Sequence, residues 1–123
     1  MAKLSIEVAE TPSALAQGLM YRNELPKNQG MLFKFPRVLE ANFWGKNTYI
    51  PLDVAFLNNQ SEITAIKPIV PMSTRVVRSE GDCIMAVEAN AGFFDRNNIQ
   101  VGHKINFITN KEGREVEAIF KVE

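Results

Sequence analysis

The run Asp53-Val54-Ala55-Phe56-Leu57-Asn58-Asn59-Gln60-Ser61-Glu62-Ile63-Thr64-Ala65-Ile66-Lys67-Pro68-Ile69-Val70 carries the architecture of this chain. Asp53 to Asn58 reads as a strand with Val54 and Phe56 inward. Asn58-Asn59-Gln60-Ser61 is a turn, built from residues whose short polar side chains bond the nearby backbone. Glu62 to Val70 is the return strand of a hairpin, kinked or ended near Pro68 because proline cannot donate to a ladder.

The same pattern extends outward in both directions. On the N-terminal side, Leu4, Ile6 and Val8 alternate with Lys3, Ser5 and Glu7, the period of a half-buried strand over Lys3 to Ala9. Thr11-Pro12 opens a helix, with Thr11 as N-cap and Pro12 at the first helical position. Ser13 to Tyr21 continues it, with Leu15 and Leu19 on one face. Gly18 costs that helix roughly 1 kcal/mol against alanine, so it serves close backbone approach or an early end. Met31, Phe33 and Phe35 mark the buried side of a strand that Pro36 stops, and Glu40 to Trp44 is extended.

On the C-terminal side, Glu80-Gly81-Asp82 is a turn and Cys83 to Glu88 a central strand, apolar on both faces. Ala89 to Asn98 is a short helix carrying Phe93 and Phe94. A last hairpin joins Lys104 to Thr109 and Arg114 to Val122 around Asn110-Lys111-Glu112-Gly113. Seven or so short strands with one or two short helices predict a mostly β, α+β fold in one domain, 1–123. An antiparallel sheet of this kind curls into a compact barrel or sandwich, because closure removes its edges.

Composition bounds the chemistry. Lys plus Arg equals Asp plus Glu at 14 each, so no net field favours a polyanion and no nucleic-acid partner is expected. A local basic patch remains around Arg75 and Arg78. The lone Cys83 lies in an apolar run and reads as a buried structural thiol, so neither a disulfide nor a thiolate cluster is expected. With one histidine, His103, at a strand start and expected to be exposed, neither a metal site nor any other cofactor is expected. Met20, Met31, Met72 and Met85 read as core filler. No apolar run reaches the ~20 residues of a membrane span, and no signal peptide is visible. The chain therefore reads as cytoplasmic as written, and extracytoplasmic if a leader once preceded it.

Several segments together resemble the DUF192 family, a bacterial and archaeal group of unknown function. They are Gly18-Leu19-Met20-Tyr21-Arg22, Gly30-Met31-Leu32-Phe33, Phe43-Trp44-Gly45-Lys46-Asn47-Thr48, Ile50-Pro51-Leu52-Asp53, Val87-Glu88 and Ala91-Gly92, in the family's order and near its spacing. The resemblance implies a compact, mostly β domain and no particular reaction. Gly45 stands where the family pattern usually has methionine, which removes an apolar side chain and predicts a looser backbone there. Many family members look exported or lipid-anchored, which this sequence does not.

The candidate site is the group Arg22, Trp44, Lys46, Asn47, Thr48, Asp53 and Glu88. Trp44 and Lys46 share one face of an extended segment, a stacking platform with a cation beside it, and Asn47 and Thr48 add orienting hydrogen bonds. The bland counterpart is Trp44 in the core and Lys46 in solvent. Asp53 reads as a carboxylate that accepts backbone N–H bonds or pairs with Lys46 or Arg22. Glu88 ends a buried strand and must be paired or protonated, with Arg22 or Lys46 as partner. The leading expectation is a non-enzymatic binding or accessory domain for a small polar or anionic ligand, a saccharide being the best fit. The alternatives are a hydrolase or lyase using Asp53 or Glu88 as acid/base, and a structural or protein-interaction module with an apolar patch around Phe93 and Phe94.

Overall fold

The computed structural model describes residues 2–121. Its elements are β1 (Ala2–Ala9), α1 (Pro12–Gln17), β2 (Gln29–Phe43), β3 (Leu52–Leu57), β4 (Ile63–Ile69), β5 (Val77–Asn90), α2 (Phe93–Arg96), β6 (Lys104–Thr109) and β7 (Glu115–Lys121). The strands form one sheet in the order β4-β3-β5-β2-β1-β7-β6. Its two edges meet at one end. The Ile63 N–H donates to the His103 carbonyl at 2.9 Å, and the Gly102 N–H donates to the Ile63 carbonyl at 2.8 Å. The sheet is thus a curled half-barrel, which brings its edge strands together. Among the described residues no helix is long and apolar enough to cross a membrane.

Most expected elements are present, with instructive shifts. The hairpin of β3 and β4 pairs Leu52 with Ile69 and Leu57 with Ile63. Thr11 caps α1, accepting from the Ala14 N–H at 3.2 Å. That helix stops at Gln17 because Gly18 turns to φ +51, leaving Leu19 to Tyr21 outside it. Not every pair is antiparallel: β1 runs parallel to β2, and the chain crosses back between them through α1. The second helix is one turn, because Asn97 already closes it through its backbone N–H. Val122, expected at the end of the last strand, lies outside the described residues.

Two sequence punctuations are bulges rather than ends. β2 passes straight through Pro36, and β5 passes straight through Glu80-Gly81-Asp82. The pairing of β2 with β5 shifts register between Lys34 and Leu39, and again between Glu40 and Asn42. Proline is tolerated at the first shift because the ladder needs no donor there. At the second, Glu80 and Gly81 adopt φ of 57° and 133°, which throws the strand outward before it resumes. The buried Ser79 side chain repairs the gap: its Oγ accepts the Ala41 N–H at 2.9 Å and donates to the Gly81 carbonyl at 2.6 Å.

Each face of the sheet carries its own core. Leu4, Leu32, Ala55, Val87, Ile105 and Phe120 fill the inside of the curl, where Phe93 and Phe94 of α2 join them. On the other face Met31, Phe33, Val54, Phe56 and Ala86 pack beneath Leu19, Leu25 and Ile50 of the connecting segments. Phe93 and Phe94 are therefore core residues, and the apolar surface patch expected around them is not there. Met72 is exposed rather than core, and His103 is half-buried, its Nδ1 accepting the Gln100 N–H at 3.0 Å. Cys83 is buried, and burial pushes its thiol up.

Replacing Ser79 with alanine strands the Ala41 N–H and the Gly81 carbonyl at the bulge. The expected cost is about 1–3 kcal/mol, read as a lower urea midpoint with an unchanged m-value.

Candidate functional site

The second bulge bends the end of β2 and the start of β5, while Gly18 turns the chain sharply after α1. Glycine is needed at 18 twice over. Its φ is positive, and a Cβ there would sit 3.0 Å from the Phe33 ring and 3.9 Å from Glu88 Oε1. The connector after β2, residues 44–51, is fixed rather than loose. The Gly45 N–H donates to the Ser73 carbonyl at 3.0 Å, and the Gly45 carbonyl accepts from Met72 at 2.8 Å and Thr48 at 3.0 Å. A Cβ at 45 would collide with the Val70 carbonyl. The expected loosening at Gly45 is thus corrected: glycine permits a closer contact that three backbone hydrogen bonds lock.

A double hydrogen bond ties this connector to the segment after α1. The Tyr21 N–H donates to the Asn47 carbonyl at 2.8 Å, and Asn47 Nδ2 donates to Tyr21 Oη at 3.0 Å. Tyr21, Asn47 and Met72 all hold positive φ, at 67°, 57° and 62°, so the segments that fix the connector include residues in a costly conformation. Between α1, bent β2 and the connector lies an open cleft of about 650 Å³.

Five of the seven expected residues line this cleft: Trp44, Lys46, Asn47, Thr48 and Glu88. Trp44 is 40% exposed, so the reading of it as a core side chain does not hold. Lys46 Nζ lies 5.2 Å from the Trp44 ring centroid, a cation–π contact on the indole face. Thr48 is buried and donates from Oγ1 to the Lys46 carbonyl at 3.2 Å, which holds the connector's turn.

Arg22 and Asp53 are elsewhere. The Arg22 guanidinium makes a two-pronged pair with Glu7 on β1, which holds the Glu7 carboxyl below its usual range. It is therefore partner to neither Glu88 nor Asp53. Asp53 does accept a backbone N–H, from Gly92 at 2.8 Å, and so anchors the start of α2. In the register of β3 with β5, Asp53 faces Ala89 while Val54 faces Glu88. Strand alternation then puts the Asp53 and Glu88 side chains on opposite faces of the sheet. The paired-carboxylate mechanism needs both on one substrate, and this geometry removes it.

Glu88 is the unusual group. It is 4% exposed, yet its carboxyl makes no hydrogen bond or ion pair with any described residue. No fully sealed side-chain oxygen or nitrogen among the described residues lacks a partner, so the carboxyl reaches the cleft's open space. Burial pushes its pKa up to about 8, so the group is mostly neutral at pH 7. The expectation that Lys46 or Arg22 would pair with it is corrected. It is the protonated alternative that the environment enforces.

Sequence reading missed Glu40, Asn42 and the aromatic wall of Phe33, Phe35 and Phe43. Glu40, Asn42 and Trp44 stand two apart, and that spacing was the available signal. The wall itself depends on the bulge. Phe43 packs edge-on against Phe33 with ring centroids 4.9 Å apart, a contact between two residues of β2 that only the bend in that strand allows.

A raised carboxyl pKa has a definite sign in stability. The folded chain holds the Glu88 proton between pH 4.5 and about 8, and the unfolded chain does not. Wild type should therefore lose stability against Glu88→Gln as pH rises through that window, by on the order of 5 kcal/mol in total. Urea unfolding of both proteins across pH 4–9 checks it. A constant difference would contradict the neutral buried acid.

The DUF192 family, described as an uncharacterized ACR, matches residues 1–107. No curated protein matches the chain. A solved structure from Sinorhizobium meliloti 1021, provisionally designated a transcription regulator, is 36% identical with a TM-score of 0.80, over 82% of this chain and 79% of that one. A protein of unknown function from Novosphingobium aromaticivorans DSM 12444 is 33% identical with a TM-score of 0.80, over 83% and 74%. The ordered motifs, the curled seven-stranded sheet and these matches agree, and the chain belongs to the DUF192 family.

Proposed function

We propose that this protein is a binding domain that takes a small polar ligand in the cleft beside Trp44, without transforming it. The observation that carries the reading is one open cleft of about 650 Å³ in which an exposed indole, three aromatic rings and several polar side chains converge. Trp44 offers a flat apolar surface, and Asn42, Asn47 and Glu40 supply hydrogen-bonding groups around it. A saccharide combines those needs, with ring faces for the indole and hydroxyls for the amides. An anionic ligand is less well served, because Arg22 is committed to Glu7 and Lys46 is the one cation among the lining residues.

Catalysis has little to work with in this cleft. Asp53 is on the other face from Glu88, and Glu40, the other carboxylate lining the cleft, is an exposed side chain on the bent strand. The regulator designation belongs to the Sinorhizobium relative. It is not carried over, since the charge balance of 14 against 14 gives no broad basic surface for a polyanion.

Titration of a panel of monosaccharides and inorganic anions should change Trp44 fluorescence and raise the melting temperature for sugars ahead of anions. Trp44→Ala should remove the thermal response. Asp53→Asn should lower stability but leave binding intact. Loss of binding in Asp53→Asn with retention in Trp44→Ala would contradict the placement.

A further inference from the structure

We infer that Glu88 recognises a primary amine, so that the ligand of this cleft is a small ammonium-bearing molecule, an amino sugar being the version that also satisfies the rim. The inference rests on the cleft reading above and adds the chemical class of the ligand.

Three observations converge on it. First, the Glu88 carboxyl is more than nine-tenths buried, lines the cleft and has no partner among the described residues. A carboxyl kept for folding would be expected to find a hydrogen bond within the protein, since an unmade one is costly. Second, no side chain is interposed from Gly18, where a Cβ would lie 3.9 Å from Glu88 Oε1 and would press on the Phe33 ring. Third, the walls are aromatic, with Phe33, Phe35, Phe43 and Trp44 all lining the space. Rings around a buried acid favour an organic cation, because their faces attract positive charge where water is excluded. The cleft already uses that preference once, in holding Lys46 over the Trp44 ring.

The surrounding charges leave Glu88 free to respond. α1 contributes no ionisable group, and Asp53 of β3 is on the opposite face. Lys34 of β2 is paired with Glu115 of β7 at 2.9 Å. Glu40 of β2 and Lys46 of the connector line the same cleft, but neither makes an ion pair among the described residues. An entering ammonium therefore pairs with Glu88 after the carboxyl gives up its proton to solvent. The ligand's own proton stays where it is, and the net change is one proton released.

This makes the sign of the pH dependence diagnostic. A cation that needs the carboxylate binds more tightly as pH rises toward 8. A neutral ligand that accepts a hydrogen bond from the protonated acid binds more weakly over the same range. The test compares benzylamine with benzyl alcohol, and glucosamine with glucose, by Trp44 fluorescence and calorimetry. Calorimetry in two buffers of different ionisation heat counts protons.

The expected result is at least tenfold tighter binding of the amine in one or both pairs. About one proton should be released per benzylamine at pH 7, and the affinity for benzylamine should gain up to tenfold per pH unit between 6 and 8. Glu88→Gln should abolish the preference and the proton release. The comparison in wild type needs no variant, so a poorly folded Glu88→Gln would not spoil it. If the alcohols bind equally well, or amine binding releases no proton, the inference is overturned. If sugars or anions move the fluorescence and no amine does, the inference falls while the cleft reading stands. If no ligand of any class does so, both fall.

Discussion

The antiparallel pairing of β2 with β5 is the constraint on which the rest of this molecule depends. Both strands are long, at 15 and 14 residues, and each must bury side chains on two faces at once. Unbroken pairing over that length gives a smoothly twisted ribbon. Two register shifts instead bend it. The first half of the pair seals the inside of the curl, and the second half leans away to form one wall of the cleft. Ser79 is the side chain that makes the bend affordable, because it satisfies backbone groups that the shift leaves unpaired.

The same pairing sets the state of Glu88. Val87 and Ala89 belong to the core inside the curl, so the residue between them must point the other way. That face is roofed by the segment after α1 and by the connector that Gly45 pins to the Val70–Ser73 turn. The carboxyl is thereby taken out of water without being given a partner. Its neutral form follows from desolvation alone, the one cause acting on it. Burial, charge state and position in the cleft thus have a single structural origin.

Much of this was legible in the chain. Alternation located the strands of the β3–β4 hairpin, and Thr11-Pro12 located the start of α1, because both signals are local and have one physical reading. Pro36 and Glu80-Gly81 misled for a matching reason. A missing donor or a positive φ looks the same in sequence whether it ends a strand or bulges one, and only the partner strand distinguishes them. The parallel pairing of β1 with β2 carried no local mark at all.

The candidate site divides along the same line. Trp44, Lys46, Asn47 and Thr48 were identifiable because they are neighbours in sequence and therefore in space. Arg22 and Asp53 were grouped with them by chemistry, but Arg22 is held by Glu7 and strand register turns Asp53 to the other face. The most direct test of the central claim is a carbon-13 NMR titration of the Glu88 side-chain carboxyl in the ligand-free protein. A midpoint near 8 is the result this structure requires. A midpoint near the ordinary glutamate value of 4.5 would mean that Glu88 is solvated or paired, and would contradict it.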